Sequence, residues 1–281
     1  VCLSPHLGIR EGRFVEGEDK LIFENLINNK KVNQPVMELY SHHDTHSNDL
    51  AFESKLTQEW VVVCGLWSKD ITGGLPLGSF IPKGLTGLLV AGRCMSMDHD
   101  ASQSFRMQRD MQKAGEIAAL MAAMAIQQNI DAKNINYEEL LVELKEKGLY
   151  QKKWLNLCEP VTDVEQIKKC FMDLSTGFTV WSCKLMGTEI EGNLLQWLES
   201  EDKNLANNAA FALGLRGNRA CLPKLREMIR HKDETVLKGS LKRCSFYIAA
   251  IYLASQLGDF EVLEDIKNIF ISPDVKKFDD V

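Results

Sequence analysis

The side chains best able to do chemistry are concentrated in the segment Ser41–Asp49, SHHDTHSND, which holds three of the six histidines of the 281-residue chain. Imidazole and carboxylate groups are ligands that zinc and iron accept. The potential ligands here are His42, His43, Asp44, His46 and Asp49. However, the sequence has no H-E-x-x-H pattern and no histidine pair on a predicted helix. A metal site is therefore the alternative, and we favour a polar loop or strand end beside an active site, with the histidines as hydrogen-bond donors.

A second stretch, Gly84–Ile126, has the outline of a strand, a loop and a helix that share a ligand. The apolar run Leu88–Ala91 predicts a strand, which ends in Gly92-Arg93. Asp98–Ser104 predicts a loop rich in potential helix N-caps. From Phe105 to about Gln128, apolar residues recur at spacings of three and four and predict a long helix. A strand that ends at a ligand, beside a helix N-terminus that points at it, is typical of anion and nucleotide sites.

The elements that precede and follow this stretch are expected to be short. Alternation of apolar and charged residues in Leu7–Val15 and the β-branched run Trp60–Trp67 predict strands, so residues 1–70 are expected to be β-rich. Asp19–Asn28 predicts a short helix and Thr72–Gly78 predicts turns. Asn136–Gly148 predicts a further helix with Gly148 as its C-terminal cap.

From about Val164 the sequence predicts paired helices. Three apolar helices end in glycine, and an amphipathic helix follows each of them. The apolar helices are Val180–Gly187, Ala209–Gly217 and Ala249–Gly258, and the amphipathic ones are Leu194–Leu198, Leu222–Ile229 and Leu263–Ile269. Helix pairs that bury their apolar faces against neighbouring pairs form an α-solenoid, and the motif A-A-x-A-L-G-x-x-G resembles HEAT repeats. An ordinary helical bundle is the alternative.

Composition narrows the class of protein. With 45% hydrophobic and 26% charged residues the chain has a globular composition, and its net charge of −6 argues against a nucleic-acid partner. No apolar run is long enough to predict a membrane span. The eight cysteines form no C-x-x-C pair, which argues against a cysteine-based zinc site and favours reduced thiols in a cytoplasmic protein.

Four sequence blocks follow one another in residues 1–150. They are L-G-I-R-E-G-R (Leu7–Arg13), I-P-K-G-L-x-x-L-L-V-A-G-R-x-x-S (Ile81–Ser96), H-x-A-x-x-S-x-R (His99–Arg106) and M-x-x-x-G-E-x-A (Met111–Ala118). In this order and spacing they resemble the C-terminal half of a group of FAD-dependent oxidoreductases. The resemblance covers about half of the chain. It implies FAD as the cofactor, a Rossmann-like FAD domain and an inserted substrate domain.

The resemblance also implies which residues hold the cofactor. Leu88–Ala91 would be the last parallel strand of the FAD sheet, and Gly92 would allow close backbone approach. Arg93 and Ser96 would contact the ribityl or phosphate region. The first amides of the following helix would face the pyrimidine edge of the flavin, where a helix N-terminus stabilises negative charge. The residues concerned are Met107, Gln108, Arg109, Asp110 and Met111.

Catalytic and substrate residues follow from the same resemblance. His99 would be the acid/base, because imidazole titrates near neutral pH. Arg106 would reinforce the positive helix N-terminus, and Arg10, Arg13 and His43 would line the substrate side. For each of these residues, a structural salt bridge or an exposed charge is the alternative.

Two features depart from the family pattern. Arg109 stands where the family often has proline, and no G-x-G-x-x-G follows a predicted strand. The βαβ unit that holds the ADP part of FAD would then lie upstream of Val1, so we expect the chain to be the C-terminal portion of such an enzyme.

The expected fold class is α+β in residues 1–150, a remnant of an α/β FAD-binding fold with an antiparallel β substrate region, and then an all-α HEAT-like domain in residues 151–281. The expected function is flavin-mediated hydride transfer on an unknown small molecule, inactive without the missing half. The alternative is a non-enzymatic protein-interaction scaffold that uses the helical repeats.

Overall fold

The computed structural model describes residues 11–45, 50–150, 158–175, 177–238 and 244–271. In chain order the helices are α1 (Phe23–Ile27), α2 (Lys55–Gln58), α3 (His99–Ser104), α4 (Gln108–Gln128), α5 (Tyr137–Glu146), α6 (Val164–Asp173), α7 (Phe178–Leu185), α8 (Glu191–Leu198), α9 (Lys203–Leu215), α10 (Leu222–Arg230), α11 (Phe246–Gln256) and α12 (Leu263–Ile271). A π-helical turn, Glu59–Val63, continues α2, and the strands are β1 (Pro35–His42) and β2 (Asp70–Pro76). None of the helices in the described part of the chain has the length and apolar character needed to cross a membrane.

These elements form two compact units. The first comprises the described residues of 1–44 and 70–159, and the second those of 45–69 and 160–281. The first unit mixes helices with a two-stranded antiparallel sheet, and the second is entirely helical in its described residues. The predicted fold class is therefore confirmed. The domain boundary near residue 150 stays a prediction, and the units add one feature to it, because segment 45–69 packs with the later helices.

The sheet of the first unit pairs β1 with β2, with Met37 opposite Leu75 and His42 opposite Asp70. Thr72–Gly78 was predicted as turns, which was wrong for residues 72–76, because Gly73 and Gly74 lie inside β2. A Cβ atom on Gly73 would lie 2.0 Å from Leu26 Cδ2, so the glycine lets helix α1 pack directly on the strand. Glycine in a strand often marks such a close approach.

Three predicted strands are not present. Leu88–Ala91 is extended chain without a partner strand in the described residues, and Leu88 is half exposed. Residues 11–15, the described part of Leu7–Val15, also form no strand. Trp60–Trp67 begins in the π-helical turn, with Trp60 and Val61 completely buried. A short apolar run fits a buried helix as well as a strand, and here packing overrides β propensity. The expectation of a β-rich segment 1–70 was accordingly wrong for its described residues, which hold β1, the first residue of β2 and isolated bridges at Gly17 and Leu21.

The predicted helices are confirmed with shifted ends. Asp19–Asn28 contains α1, and the long helix begins at Gln108 and ends at Gln128. In Asn136–Gly148 the Asn136 side chain caps α5, and Gly148 has the left-handed φ of 68° that ends it. The predicted loop Asp98–Ser104 is instead helix α3, although its expected N-cap is present, since Asp98 accepts a hydrogen bond from Ala101 N at 2.7 Å.

The second unit confirms the predicted order of helices, in which α8 follows α7, α10 follows α9, and α12 follows α11. Segment 45–69 supplies α2 and the π-helical turn to this unit. Trp60 lies edge-on to Trp181 with ring centroids 5.2 Å apart, and to Phe178 at 6.2 Å. Gly177 lies so close to the end of the turn that an added Cβ would be 1.8 Å from the Cys64 carbonyl oxygen. The turn is therefore part of the helical core.

An ion pair joins helix α10 to the turn that follows α11 and predicts a pH effect. The Arg226 guanidinium donates to both carboxylate oxygens of Asp259, at 2.8 and 2.9 Å, and these hydrogen bonds hold the pKa of Asp259 below its ordinary value. A depressed folded-state pKa gives stability that is present above the unfolded pKa of about 3.9 and is lost as pH falls through the folded pKa.

We expect Asp259→Asn to lower the urea midpoint at pH 7, with the difference from wild type shrinking below about pH 4. Asp265→Asn, which removes the exposed partner of Arg230, is the control with little effect. An Asp259→Asn difference that is constant from pH 7 to about pH 2 would contradict this.

Candidate functional site

The segment that follows the predicted strand is held in place by residues 15–21. Val15 N donates to the Cys94 carbonyl at 2.8 Å, and Leu21 N donates to the Ser96 carbonyl at 3.0 Å. Ser96 is 1% exposed, and its amide donates to the Ser79 carbonyl at 3.2 Å. The backbone from Cys94 to Ser96 therefore has a fixed position in the first unit.

Gly92 leaves open space at the start of this segment. Its φ of 83° lies in the left-handed region that favours glycine. Apart from its two chain neighbours, no atom of the described residues lies within 4 Å of the position that a Cβ would take. Next to it, the Arg93 side chain folds back, and its Nε donates to the Arg106 carbonyl at 3.2 Å. The two ends of the segment, Gly92-Arg93 and Arg106, are thus brought together.

Arg106 connects this segment to the end of strand β1. Its side chain is 6% exposed, its guanidinium donates to the Asp44 carbonyl at 2.7 Å, and the Asp44 carboxylate lies 4.0 Å away. Asp44 was considered as a metal ligand, but here it balances the buried charge of Arg106. The strand-end interpretation of SHHDTHSND fits this arrangement, since Ser41 and His42 end β1.

The N-terminus of helix α4 follows directly. Its N-cap residue, Met107, makes no side-chain capping bond, and Gln108 and Arg109 are exposed. The 21-residue helix places partial positive charge at this end. Asp110 in the first turn is 7% exposed, and burial raises its pKa although the Arg109 guanidinium 3.5 Å away acts in the opposite direction. Met111 is partly buried one position further on.

His99 forms a polar cluster with Glu11 and Gln103. Its Nδ1 is in direct contact with the Glu11 carboxylate, and its side chain is half exposed. The Gln103 amide nitrogen lies 3.3 Å from the other Glu11 oxygen and 3.4 Å from His99 Nε2. Sequence reasoning missed Glu11 and Gln103 as members of the site. The signal for Glu11 was its place inside the R-E-G-R block.

The other predicted site residues lie elsewhere. His43 is completely buried and stacked on Phe23, with ring centroids 4.2 Å apart. Arg13 is exposed. Arg10, like the potential metal ligands His46 and Asp49, lies outside the described residues.

The metal alternative gains no support from the described part of SHHDTHSND. His42 Nε2 lies 3.9 Å from an Asp44 oxygen, while the His43 ring is stacked on Phe23. These side chains do not form a group of three metal-ligating atoms among the described residues. The interpretation in which they support a neighbouring site stays a prediction.

The fold and this arrangement define a class: an α+β unit with a glycine-arginine turn beside a helix N-terminus, combined with a helical-repeat unit. Profile comparison makes the assignment specific. Residues 2–144 match the FAD dependent oxidoreductase family, and residues 192–268 match HEAT repeats. The chain belongs to the FAD dependent oxidoreductase family. Searches of curated proteins and of solved structures find no match.

The residues present fit one end of FAD. The open space at Gly92 and the α4 N-terminus without a side-chain cap suit a flat ring that carries negative charge when it is reduced, and its ribityl chain. The described residues hold no parallel sheet and no glycine-rich strand-to-helix turn that would suit the pyrophosphate and adenosine end. Gly92, Arg93 and residues 107–111 would therefore contact the flavin end.

Proposed function

We propose that this chain contributes the flavin-facing part of an oxidoreductase that acts on a small molecule. The observation that carries the proposal is the convergence of Gly92, Arg93, Arg106 and the α4 N-terminus in a chain of this family. When bound, FAD would accept or supply a hydride at its flavin ring. The positive helix end would stabilise negative charge on the ring, and the buried Arg106 would reinforce it.

The substrate side is proposed on the same basis. His99 would transfer a proton, and Arg10, Arg13 and His43 would line the substrate side. Because His43 is completely buried, it would not contact the substrate directly. It would act by fixing the position of the Phe23 ring, on which it stacks. Ser96, also buried, would act through its fixed backbone.

We expect the chain alone to bind FAD weakly or not at all, because the sequence offers no pyrophosphate-binding G-x-G-x-x-G turn. Purified protein should be colourless after gel filtration with added FAD, as measured by flavin absorbance in the protein peak. Co-expression with a separate polypeptide that supplies a strand–G-x-G-x-x-G–helix unit should restore yellow protein. Retention of flavin by the chain alone contradicts the first expectation.

The flavin-facing role is tested in the co-expressed complex. Arg93→Ala should release FAD at least several-fold more readily in a fluorescence titration, because Arg93 ties the turn to Arg106. Lys133→Ala, an exposed cation of the same unit, is the matched control and should leave affinity unchanged. Equal affinity in both variants would remove Arg93 from the site.

The helical repeats favour a second candidate, a protein-interaction scaffold. Four large apolar side chains near the end of the second unit are exposed: Phe260, Leu263, Phe270 and Ile271. Repeat surfaces of this kind commonly hold other proteins. In our proposal the flavin-facing role belongs to residues 1–150 and the scaffold role to residues 151–281. We also propose that the protein is cytoplasmic and that its thiols are reduced. The scaffold role alone predicts a partner that still binds after the Arg93→Ala substitution and no flavin in any complex.

A further inference from the structure

We infer that a groove between helices α4 and α5 is a docking site for an amphipathic helix of another protein, one that carries basic residues beside its apolar face. The groove lies in the first unit and has a volume of about 520 Å³. One of its walls is apolar and the other is acidic. This role goes beyond the flavin-facing role proposed for the same unit and does not depend on it.

The α4 wall of the groove is apolar. Leu120, Ala123 and Met124 lie at positions i, i+3 and i+4, which places them on one face of the helix. Ala123 is exposed and Leu120 is partly buried, while Met124 is 7% exposed. From α5, Val142 adds an apolar side chain that is 53% exposed. The groove therefore leaves apolar surface in water that a partner with an apolar face would cover.

The α5 wall carries the charge. Glu139 and Glu143 lie one turn apart on the helix, and Lys147 lies one turn beyond them. Lys147 Nζ is 3.7 Å from a Glu143 carboxylate oxygen, and both side chains are about half exposed, so this ion pair is readily replaced. The Glu139 carboxylate accepts a hydrogen bond at 3.1 Å from the neutral amide of Gln128. Two carboxylates and one ammonium group leave this wall with a net negative charge.

The two walls determine the form of the occupant. In the middle of α4 and α5 the backbone N–H and C=O groups are paired within each helix, so the groove cannot extend a β-sheet. An occupant that lies on the apolar wall must therefore satisfy its own backbone groups, as a helix does. From Glu139 to Lys147 the wall rises about 12 Å, which corresponds to about two turns of a partner helix.

The charge of the groove determines the kind of partner. The apolar side of the docked helix would cover Leu120, Ala123 and Val142. Lys or Arg residues beside that face would lie opposite Glu139 and Glu143, where opposite charges favour the complex. In a symmetric pair of this chain, the same carboxylates would face each other and repel. The charge therefore favours a different protein over a second copy.

Two synthetic peptides test the inference on the full chain without flavin. A labelled peptide of about 14 residues carries leucine on one helical face and lysine beside it, and its counterpart has glutamate at every lysine position. We expect the basic peptide to bind at least about ten-fold more tightly in fluorescence anisotropy, with the difference shrinking as salt is raised. Equal binding of the two peptides to the wild-type chain overturns the inference.

Variants of exposed residues locate the binding. Ala123→Gln places an amide on the apolar wall and should weaken the basic peptide by about five-fold or more. Ala119→Gln, one turn earlier on α4 and outside the lining of the groove, is the matched control that should leave affinity unchanged. Glu139→Gln combined with Glu143→Gln should remove most of the preference for the basic peptide, whereas the exposed Glu16→Gln should retain it.

Circular dichroism melts check that each variant is folded. Equal affinities of Ala123→Gln and Ala119→Gln for the basic peptide would place the binding elsewhere and overturn the inference. Sedimentation tests the other occupant, a second copy of the chain. A concentration-dependent dimer that Ala123→Gln dissociates would also overturn the inference. All of these measurements are made without FAD, so they stand whether or not the co-expressed complex binds flavin.

Discussion

Replacing Trp60 with alanine should destabilise the helical unit by about 3–5 kcal/mol, the range measured for removal of a large buried aromatic side chain. Trp60 is completely buried, and its ring packs edge-on against Trp181 and Phe178. The substitution removes these aromatic contacts and leaves a cavity between the π-helical turn and helix α7. Urea denaturation followed by circular dichroism measures the loss, because the helices of this unit dominate the signal.

The same segment provides the control. Phe52 is 87% exposed, so Phe52→Ala should change the free energy of unfolding by less than about 0.5 kcal/mol. Trp60→Phe should fall between the two variants, since it keeps an aromatic ring in the site. Equal stability of Trp60→Ala and Phe52→Ala would show that the turn does not belong to the helical core.

Asp98→Ala should destabilise the first unit by about 2–3 kcal/mol, the sum expected for the loss of two helix-capping interactions. The Asp98 carboxylate accepts from Ala101 N at 2.7 Å, which caps α3, and from Phe23 N at 3.1 Å, which caps α1. One side chain thus joins two helices that are far apart in sequence. Thermal melts and urea denaturation measure the loss.

The conservative variant separates the capping role from the charge. Burial raises the pKa of Asp98 above its ordinary value, although the hydrogen bonds from the Ala101 and Phe23 amides act in the opposite direction. Asp98→Asn keeps an acceptor oxygen and should lose less than half of what Asp98→Ala loses. Asp19→Ala removes a carboxylate that accepts a hydrogen bond from the exposed neighbouring amide of Lys20, and it should have little effect. A comparable loss in all three variants would argue against the double cap.

Local signals predicted the long elements well. The three- and four-residue spacing of apolar residues gave α4 within a few positions of its observed ends, and the glycine-terminated pairs gave the helices from α7 to α12. These signals are periodic over many residues and depend little on distant contacts. The Asn136 and Asp98 caps were also recognisable, because capping chemistry acts within one turn.

The errors share a physical cause. Trp60–Trp67 has strong β propensity, yet burial against Trp181 decides its conformation, and that partner lies more than a hundred residues away in the sequence. Gly73-Gly74 was assigned to turns because glycine pairs usually indicate turns. The close approach of Gly73 to Leu26, which explains a glycine inside a strand, appears only in the tertiary structure. Leu88–Ala91 lacks a neighbouring strand in the described residues, so its apolar pattern alone forms no sheet.

The candidate site was predicted in outline and not in its contacts. The order of the blocks located Gly92, Arg93 and Arg106, and their mutual contact appears only in the fold. The pairing of Arg106 with Asp44, and of His99 with Glu11, joins residues that are 62 and 88 positions apart. No local pattern encodes such pairs. The sequence also gave no indication that His43 would be buried against Phe23.

The place of segment 45–69 in the helical unit has a consequence for synthesis on the ribosome. The segment emerges long before helices α7 and α11, so Trp60, Val61 and Val63 remain without their later partners until residues 178–256 have been synthesised. A shortened chain that stops near residue 150 would present these apolar side chains to water and to other nascent chains. Conversely, a chain that starts at residue 160 would lack α2 and the π-helical turn, which pack with the later helices. Stable packing of the helical unit therefore requires that both the segment between β1 and β2 and the later helices α7 and α11 have been synthesised.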